Sequence, residues 1–570
     1  MLEQSVTAIA QRGRRRWDRG VTVNFMAQAE VGRRVGQSQV KLAAQLGVPR
    51  NTLRYWQARK ANLEGSPQVA AFFESPEGLA VLHQICGAAH FVIEFNPCRG
   101  VRGVCDFLRL SGLSRFVASS YGAQHQVASQ MEANLVRYDD VTQSRLAPQM
   151  APRKITLCED ETFHPAICLV AIEPVSDFIV LETYAEKRDA KTWNAAVSKA
   201  LADLPVAVIQ STSDEGKGLL AHVREGLTAH HSPDLFHLQR ELSKGLCPRL
   251  NANLRRAQRL HEEAVKATEE GQRAAALYEP IAESHGPGRP PNLQKRIEAA
   301  AQTEAQALQA VERVKAEREQ VREALQGISE AYHPFDLKTG QVRSVETVEL
   351  DLQRQFAKLD QLADTIDLGE GGKARIDKAR RLIPKLLATL AFVFSTLKTA
   401  VENLALPLPA EQVLYQHLIP GLYLRKAAAK APTAEKRKAI EAAARALLAP
   451  VRAPESPLVG LDRNELEHIE RVATECADLF QRSSSCVEGR NGQLALWHHH
   501  LHTIRPRRLK ALTVVHNYFS QRPDGRTPAH HFFGAQHGDL FAWLLDRISL
   551  PARPARKRPK PPPQPLLAMA

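Results

Sequence analysis

The chain of 570 residues has no Cys-x-x-Cys pair, no Walker loop, no nucleophile elbow and no dinucleotide fingerprint. A thiolate zinc site, a phosphate-cradling glycine loop and serine-hydrolase chemistry therefore have no support. Aromatic residues make up only 6% of the chain, while alanine and leucine are abundant, which favours helix. The eight cysteines (Cys86, Cys98, Cys105, Cys158, Cys168, Cys247, Cys476, Cys486) are scattered, several of them inside apolar runs, as reduced core residues of a cytoplasmic protein would be. No stretch approaches the roughly 20 apolar residues of a spanning helix, so a soluble protein with no membrane partner is expected. The start of the chain, with Arg12, Arg14, Arg15, Arg16 and Arg19, has no apolar segment behind it and does not read as a secretory signal.

What is present is positive charge. The formal net charge is +14 and the isoelectric point near 9.4, a balance that favours a polyanionic partner. Between Ser38 and Trp56 the pattern sharpens. A first helix would bury Val40, Ala43, Ala44 and Leu46; Gly47 would supply a tight turn, and Val48 would close a small core. A second helix would bury Leu53 and Trp56 while presenting Arg50, Asn51, Thr52, Arg54 and Tyr55. Ala-x-x-x-Gly-Val followed by a basic helix is a helix-turn-helix signature, and those five exposed residues are the candidate DNA contacts; an ordinary helical hairpin with a solvated face is the plainer alternative.

Residues 1–66 are thus assigned to a basic N-terminus with a helix-turn-helix, and 67–150 to a helical bridging domain without nameable chemistry. The period then changes to that of strands. Ile155–Thr162, Ala166–Glu173 and Asp177–Tyr184 form an antiparallel meander; Asp189 caps a helix through Trp193 and Leu201; Val206–Gln210 is a fourth strand, Lys217–Leu227 a helix, and Asp234–Leu238 a short fifth strand. The order β-β-β-α-β-α-β-α matches a ribonuclease-H-like core, with residues 151–245 as its first part. Residues 246–480 read as an all-helical insertion, including a charged antiparallel arm at Leu293–Leu325 after the breaker Gly286–Pro291 and a core helix at Leu382–Leu404. Residues 481–550 complete the core with C-terminal helices, among them a basic one (Arg505, Arg507, Arg508, Lys510) with Leu509, Leu512 and Val515 inward. The basic, proline-rich 551–570 reads as a disordered tail. The expected fold class is therefore a mixed α+β/α/β chain: helix-turn-helix, then a ribonuclease-H-like core interrupted by a large all-α insertion.

Three acidic residues stand out within this frame. Asp160 closes the first strand, Asp214 follows the fourth, and Glu488 begins a helical stretch in Ser485-Cys486-Val487-Glu488-Gly489-Arg490-Asn491. First and fourth strands are neighbours at the centre of such a sheet, so the two aspartates would lie side by side. Two divalent ions about 3.5–4 Å apart, held by carboxylates, can both activate a nucleophilic oxygen and stabilise a leaving one. Oxygen-only ligands suit Mg²⁺ or Mn²⁺ over zinc. Asp160 competes with Glu159 and Glu161, but period-two alternation sets it opposite both; Asp214 competes with Glu215 and with a capping role. His237, Lys217, Arg490 and Asn491 are near-site candidates, the first also readable as a core histidine and the basic pair as phosphate-binding or merely solvated. His498, His499, His500 and His502 point in different directions on a helix and do not form a ligand set.

Taken in order, Asp160-Glu161-Thr162, Ser213-Asp214-Glu215-Gly216-Lys217, Asp234-Leu235-Phe236-His237, Glu488-Gly489-Arg490-Asn491-Gly492 and Asp524–Ala529 with Phe533-Gly534 resemble the motifs of DDE transposases of bacterial insertion sequences. The gap of about 270 residues between Asp214 and Glu488 departs from compact families and is similar to those that insert an all-helical domain there. The resemblance implies an Mg²⁺-dependent (or Mn²⁺-dependent) enzyme that binds double-stranded DNA at the terminal inverted repeats of an element. It would cleave those ends and join them to target DNA as a homodimer or larger assembly, in the cytoplasm at the nucleoid. Rival readings are a catalytically silent DNA-binding regulator and a structure-specific nuclease of the same fold.

Overall fold

A computed structural model describes residues 17–61, 66–95, 100–278 and 291–554. The arginines at 12–16, most of the 286–291 breaker and the tail from 555 onward lie outside the described residues. One mixed sheet anchors the fold. Its strands are β1 (Arg153–His164), β2 (Ala166–Glu173), β3 (Phe178–Ala185), β4 (Val206–Ser213) and β5 (His230–Pro233), in the order β3-β2-β1-β4-β5. The first three form the antiparallel meander; β1 pairs parallel with β4, and β4 with β5. Strict alternation explains why both faces are covered. Ile155, Leu157, Leu169 and Ala171 pack beneath Trp193 and Val197, whereas Cys158, Cys168, Val170 and Ile172 pack against Val487, Leu494 and Leu512 on the other face.

The strand expected at Asp234–Leu238 is absent. β5 lies four residues earlier, and Leu235 opens a helix that runs to Tyr278. The cause is local: the Asp234 carboxylate accepts the backbone N–H of Phe236 at 2.7 Å, which satisfies an otherwise orphaned donor and starts a helix where the apolar run Leu235–Leu238 imitates a strand. Asp189 caps the Ala190–Leu201 helix through Thr192, as its position before the Trp193 pattern requires.

The all-helical region follows. Leu235–Tyr278 and Leu293–Ala331 lie antiparallel, with Gln239 donating to the Leu325 carbonyl at the root and Gly271 facing Ile297 further out. Helices Val345–Thr365, Ile383–Glu402, Ile419–Ala429 and Arg463–Asp478 share one large core with the root of this arm. That core meets the sheet where His230 stacks on Phe392, ring centroids 4.4 Å apart, and bonds Thr389 at 3.1 Å.

Two helices, Pro76–Phe95 and the stretch Glu370–Glu402, are long and apolar enough to cross a membrane, with mean hydropathy 1.4 each, contrary to the expectation that no stretch approaches this. Their apolar faces are used inside the fold: Leu82, Phe91 and Phe95, and Leu386, Leu390, Val393 and Leu397, are all buried.

At the N-terminus three helices pack together, not two: Arg19–Arg34, Gln39–Gln45 and Arg50–Ala61. The first, not anticipated, supplies Val23, Met26 and Ala29 to a core with Ala43, Val48, Leu53 and Trp56. Gly47 takes φ +61°, the left-handed turn its lack of a Cβ permits. The register of the middle helix differs from expectation. Leu42 and Ala43 are buried, whereas Val40 is 57% exposed and Ala44 is also at the surface, because the third helical neighbour covers a different stripe. Residues 551–554, assigned to a disordered tail, instead lie against this unit: Arg19 donates to the Pro551 carbonyl at 2.7 Å and Arg59 to that of Pro554 at 3.0 Å.

Candidate active site

The second half of β1, where its pairing with β4 stops, carries three consecutive carboxylates that the pleat separates. Glu159 turns to one face, where it meets Ser211 and, at 3.2 Å, His222. Glu161 turns the same way, accepting from Trp193 Nε1 at 3.1 Å and Arg188 at 3.2 Å. Asp160 turns to the other, where Asn491 Nδ2 donates to Oδ2 at 2.9 Å and the Glu161 backbone N–H to Oδ1 at 2.8 Å.

The parallel register of β1 with β4 pairs Glu159 with Ser213, so the next positions, Asp160 and Asp214, fall beside each other past the paired ends. Asp214 accepts from the Gly216 N–H at 2.9 Å and its side chain is half-buried. Its neighbour Glu215 points away and pairs with Lys385 of the helical region. Glu488 lies in the first turn of the Ser485–Leu501 helix. Three residues on, Asn491 shares its face and bonds Asp160.

Burial pushes the Asp160 carboxyl up to about 7; the Glu161 N–H opposes this, and the charges of Glu488 and Asp214 add to it, with His237 offsetting part. The site thus concentrates negative charge that the chain neutralises incompletely. His237 is a basic group beside these carboxylates. Its Nδ1 bonds Asp234 Oδ2 at 2.9 Å and its Nε2 faces Glu488 Oε1 at 3.8 Å. The bond to Asp234, against the cost of burial, holds the imidazole above its ordinary pKa, helped by the charges of Asp160 and Asp214. Asp234 is itself buried and held by Ser484, the residue before the Glu488 helix. That role was invisible in sequence because the segment read as a strand; as a helix, the i, i+3 spacing of Asp234 and His237 sets both on one face.

Two near-site candidates stand differently. Arg490 is not solvated: it is buried, its guanidinium taken up by Glu182 of β3 through bonds of 2.6 and 2.7 Å, and it lies over Trp497. Helix periodicity turns it inward while Glu488 and Asn491 turn to the site. Lys217 is exposed at the start of its helix. His498 bonds the Tyr184 hydroxyl at 3.2 Å. In the N-terminal unit Arg50, Asn51, Arg54 and Tyr55 are exposed on one helix and Thr52 is half-buried.

Oxygen donors of one buried carboxylate, Asp160, and two half-buried ones, Asp214 and Glu488, fit a hard divalent cation, and Asn491 Oδ1 is buried beside Asp160 with no hydrogen-bond partner. Among the described residues, however, no group of three or more His, Cys, Asp or Glu closes into a metal-holding arrangement. Residues 414–560, about a quarter of the chain, match a family model described as a family of unknown function (DUF6399). No curated protein matches the chain. The matched segment includes Glu488, Asn491 and the Asp524–Gly534 stretch, so that family model spans one of the site's three carboxylates.

Proposed function

We propose that the chain is a DNA transposase of the DDE type, with a ribonuclease-H-like core interrupted by the helical region. One observation carries the reading. Asp160, on β1, lies within electrostatic reach both of Asp214, just past the neighbouring parallel strand, and of Glu488, which follows Asp214 by about 270 residues that are mostly helical. A fold has little reason to gather repelling carboxylates at a strand end unless a cation or a phosphate uses them.

Asp160, Asp214 and Glu488 would hold Mg²⁺ or Mn²⁺, which supplies activation of the attacking oxygen and stabilisation of the leaving one. Asn491 orients Asp160 through the bond to Oδ2. Asp234 fixes the tautomer of His237, leaving Nε2 to hold or return a proton beside Glu488. The N-terminal unit presents Arg50, Asn51, Thr52, Arg54 and Tyr55 to the terminal repeats of the element, and joining two ends to target DNA calls for a homodimer or larger assembly at the nucleoid.

The test is strand cleavage of end-containing duplex DNA with Mg²⁺. Asp160→Asn, Asp214→Asn and Glu488→Gln should each lower the rate by about a thousandfold or more, the equivalent of roughly 4 kcal/mol of transition-state stabilisation. Undiminished cleavage in these variants ends the assignment. Tight end binding by wild type without any Mg²⁺-stimulated nicking would select the rival reading, a catalytically silent DNA-binding regulator.

A further inference from the structure

The Leu235–Tyr278 helix begins at the carboxylate site and leads away from it into the helical arm. At 100° per residue, His237, Arg240, Lys244, Pro248, Asn251 and Arg255 fall within an arc of about 80°, one continuous face that starts with the imidazole beside Glu488. Arg240, Pro248, Asn251 and Arg255 are exposed, and Lys244 is 48% exposed. The charge along this helix is uneven. Between Leu235 and His261 there are six lysines and arginines (Arg240, Lys244, Arg249, Arg255, Arg256, Arg259) and one acid, Glu241, whose charge is met by Arg375 at 2.8 Å and Lys378 at 3.5 Å, with Lys244 at 4.0 Å. Beyond His261 the sequence turns acidic, with Glu262, Glu263, Glu269 and Glu270. Arg249 pairs with Asp367 and Arg259 with Glu263. Among the described residues Arg240 and Arg255 have no ion pair, and they line a shallow groove along the helix with Lys244, Pro248 and Asn251. Pro248 has no N–H to give the Lys244 carbonyl, so the backbone bond at that turn is missing within the groove.

We infer that this face is a track for the phosphate backbone of duplex DNA, delivering it to the carboxylates. The inference rests on the reading of the site as a DNA-processing centre and adds which element grips the DNA beside it. From His237 to Arg255 the helix rises about 27 Å, the length of roughly eight base pairs at 3.4 Å each. Arg, Lys and Asn side chains at one- to two-turn intervals suit contacts that position DNA without reading its sequence. The acidic far half of the helix, by the same logic, is not part of the track.

Salt-dependent binding of the full chain to a duplex carrying an element end tests this. Each phosphate contact contributes about 0.9 to the slope of log K against log salt. The triple variant Arg240→Gln, Lys244→Gln, Arg255→Gln should lower that slope by between about 2 and 3. A control in the acidic half, Lys266→Gln with Arg273→Gln, should leave it unchanged. All five positions are on the arm's surface, and circular dichroism checks that each variant stays folded. A triple-variant slope equal to that of wild type, with wild-type binding intact, overturns this inference alone. Wild type showing no salt-dependent duplex binding overturns the DNA-processing reading, and the inference falls with it. Loss of slope in the control as large as in the triple variant also overturns it, since the effect would then be one of net charge.

Discussion

Asp160 and Arg490 show how one residue's neighbourhood decides its role. Both are polar residues set among apolar ones, yet Asp160 is left with unneutralised carboxylates while Arg490 finds a bidentate partner in Glu182. Arg490→Ala should therefore act on stability first, leaving the Glu182 charge buried without its cation; denaturant unfolding should show a loss of about 3–5 kcal/mol. Arg490→Met combined with Glu182→Leu should recover most of it, which a phosphate-binding arginine would not allow for activity. His230 gives a pH-dependent case. Burial, with His231 adding, lowers its pKa from 6.5 to about 4, so between those values the unfolded chain takes up a proton that the folded one refuses. The stability it supports is complete above pH 6.5 and declines as pH falls toward 4. His230→Phe, which keeps the stack on Phe392, should flatten the acid limb of a melting-temperature profile across that window; an unchanged limb would show that other groups cause it.

Elements with a strong local period were legible, and those decided by a single capping contact were not. β2 has the bounds that alternation gave it, Ala166–Glu173, and the cap at Asp189 is where the pattern places it. The fifth strand was misplaced because Asp234 starts a helix in a run whose apolarity suits either state. The helices Gln39–Gln45 and Arg50–Ala61 were legible from Gly47, Val48, Leu53 and Trp56, yet the third helix of the unit was not, since Arg19–Arg34 takes its place by packing Val23, Met26 and Ala29 against that pair. Trp56 is 6% exposed and touches Trp17 edge-on, with ring centroids 6.0 Å apart. Trp56→Ala should cost about 3–5 kcal/mol within this unit while sparing the fold of the sheet, as read by calorimetry, and under the proposed function it should abolish end-specific DNA binding, as read by binding to the repeat sequence.

At the scale of the whole molecule, the first and last described segments are tied together by one buried acid. Glu74 is 2% exposed and receives Arg19 at 2.9 Å and Arg553, residues drawn from opposite ends of the sequence. Glu74→Ala would leave two guanidinium groups buried against each other, a cost of about 3–5 kcal/mol. Melting of the N-terminal unit should then separate from that of the core as a second calorimetric transition. A single transition at the wild-type temperature would show that this contact does not couple them.

The amino-acid order by itself determined the periods, and with them the meander, the helical region and the three carboxylates worth asking about, because alternation and amphipathic spacing depend only on near neighbours. It could not determine that Asn491 reaches Asp160, that Asp234 orients His237, or that Arg490 turns inward. Asp234 and His237 meet within one helix turn that the apolar run conceals, whereas the other two pairs span more than 300 residues, and only the docking of the Ser485–Leu501 helix against the sheet brings their side chains within bonding distance.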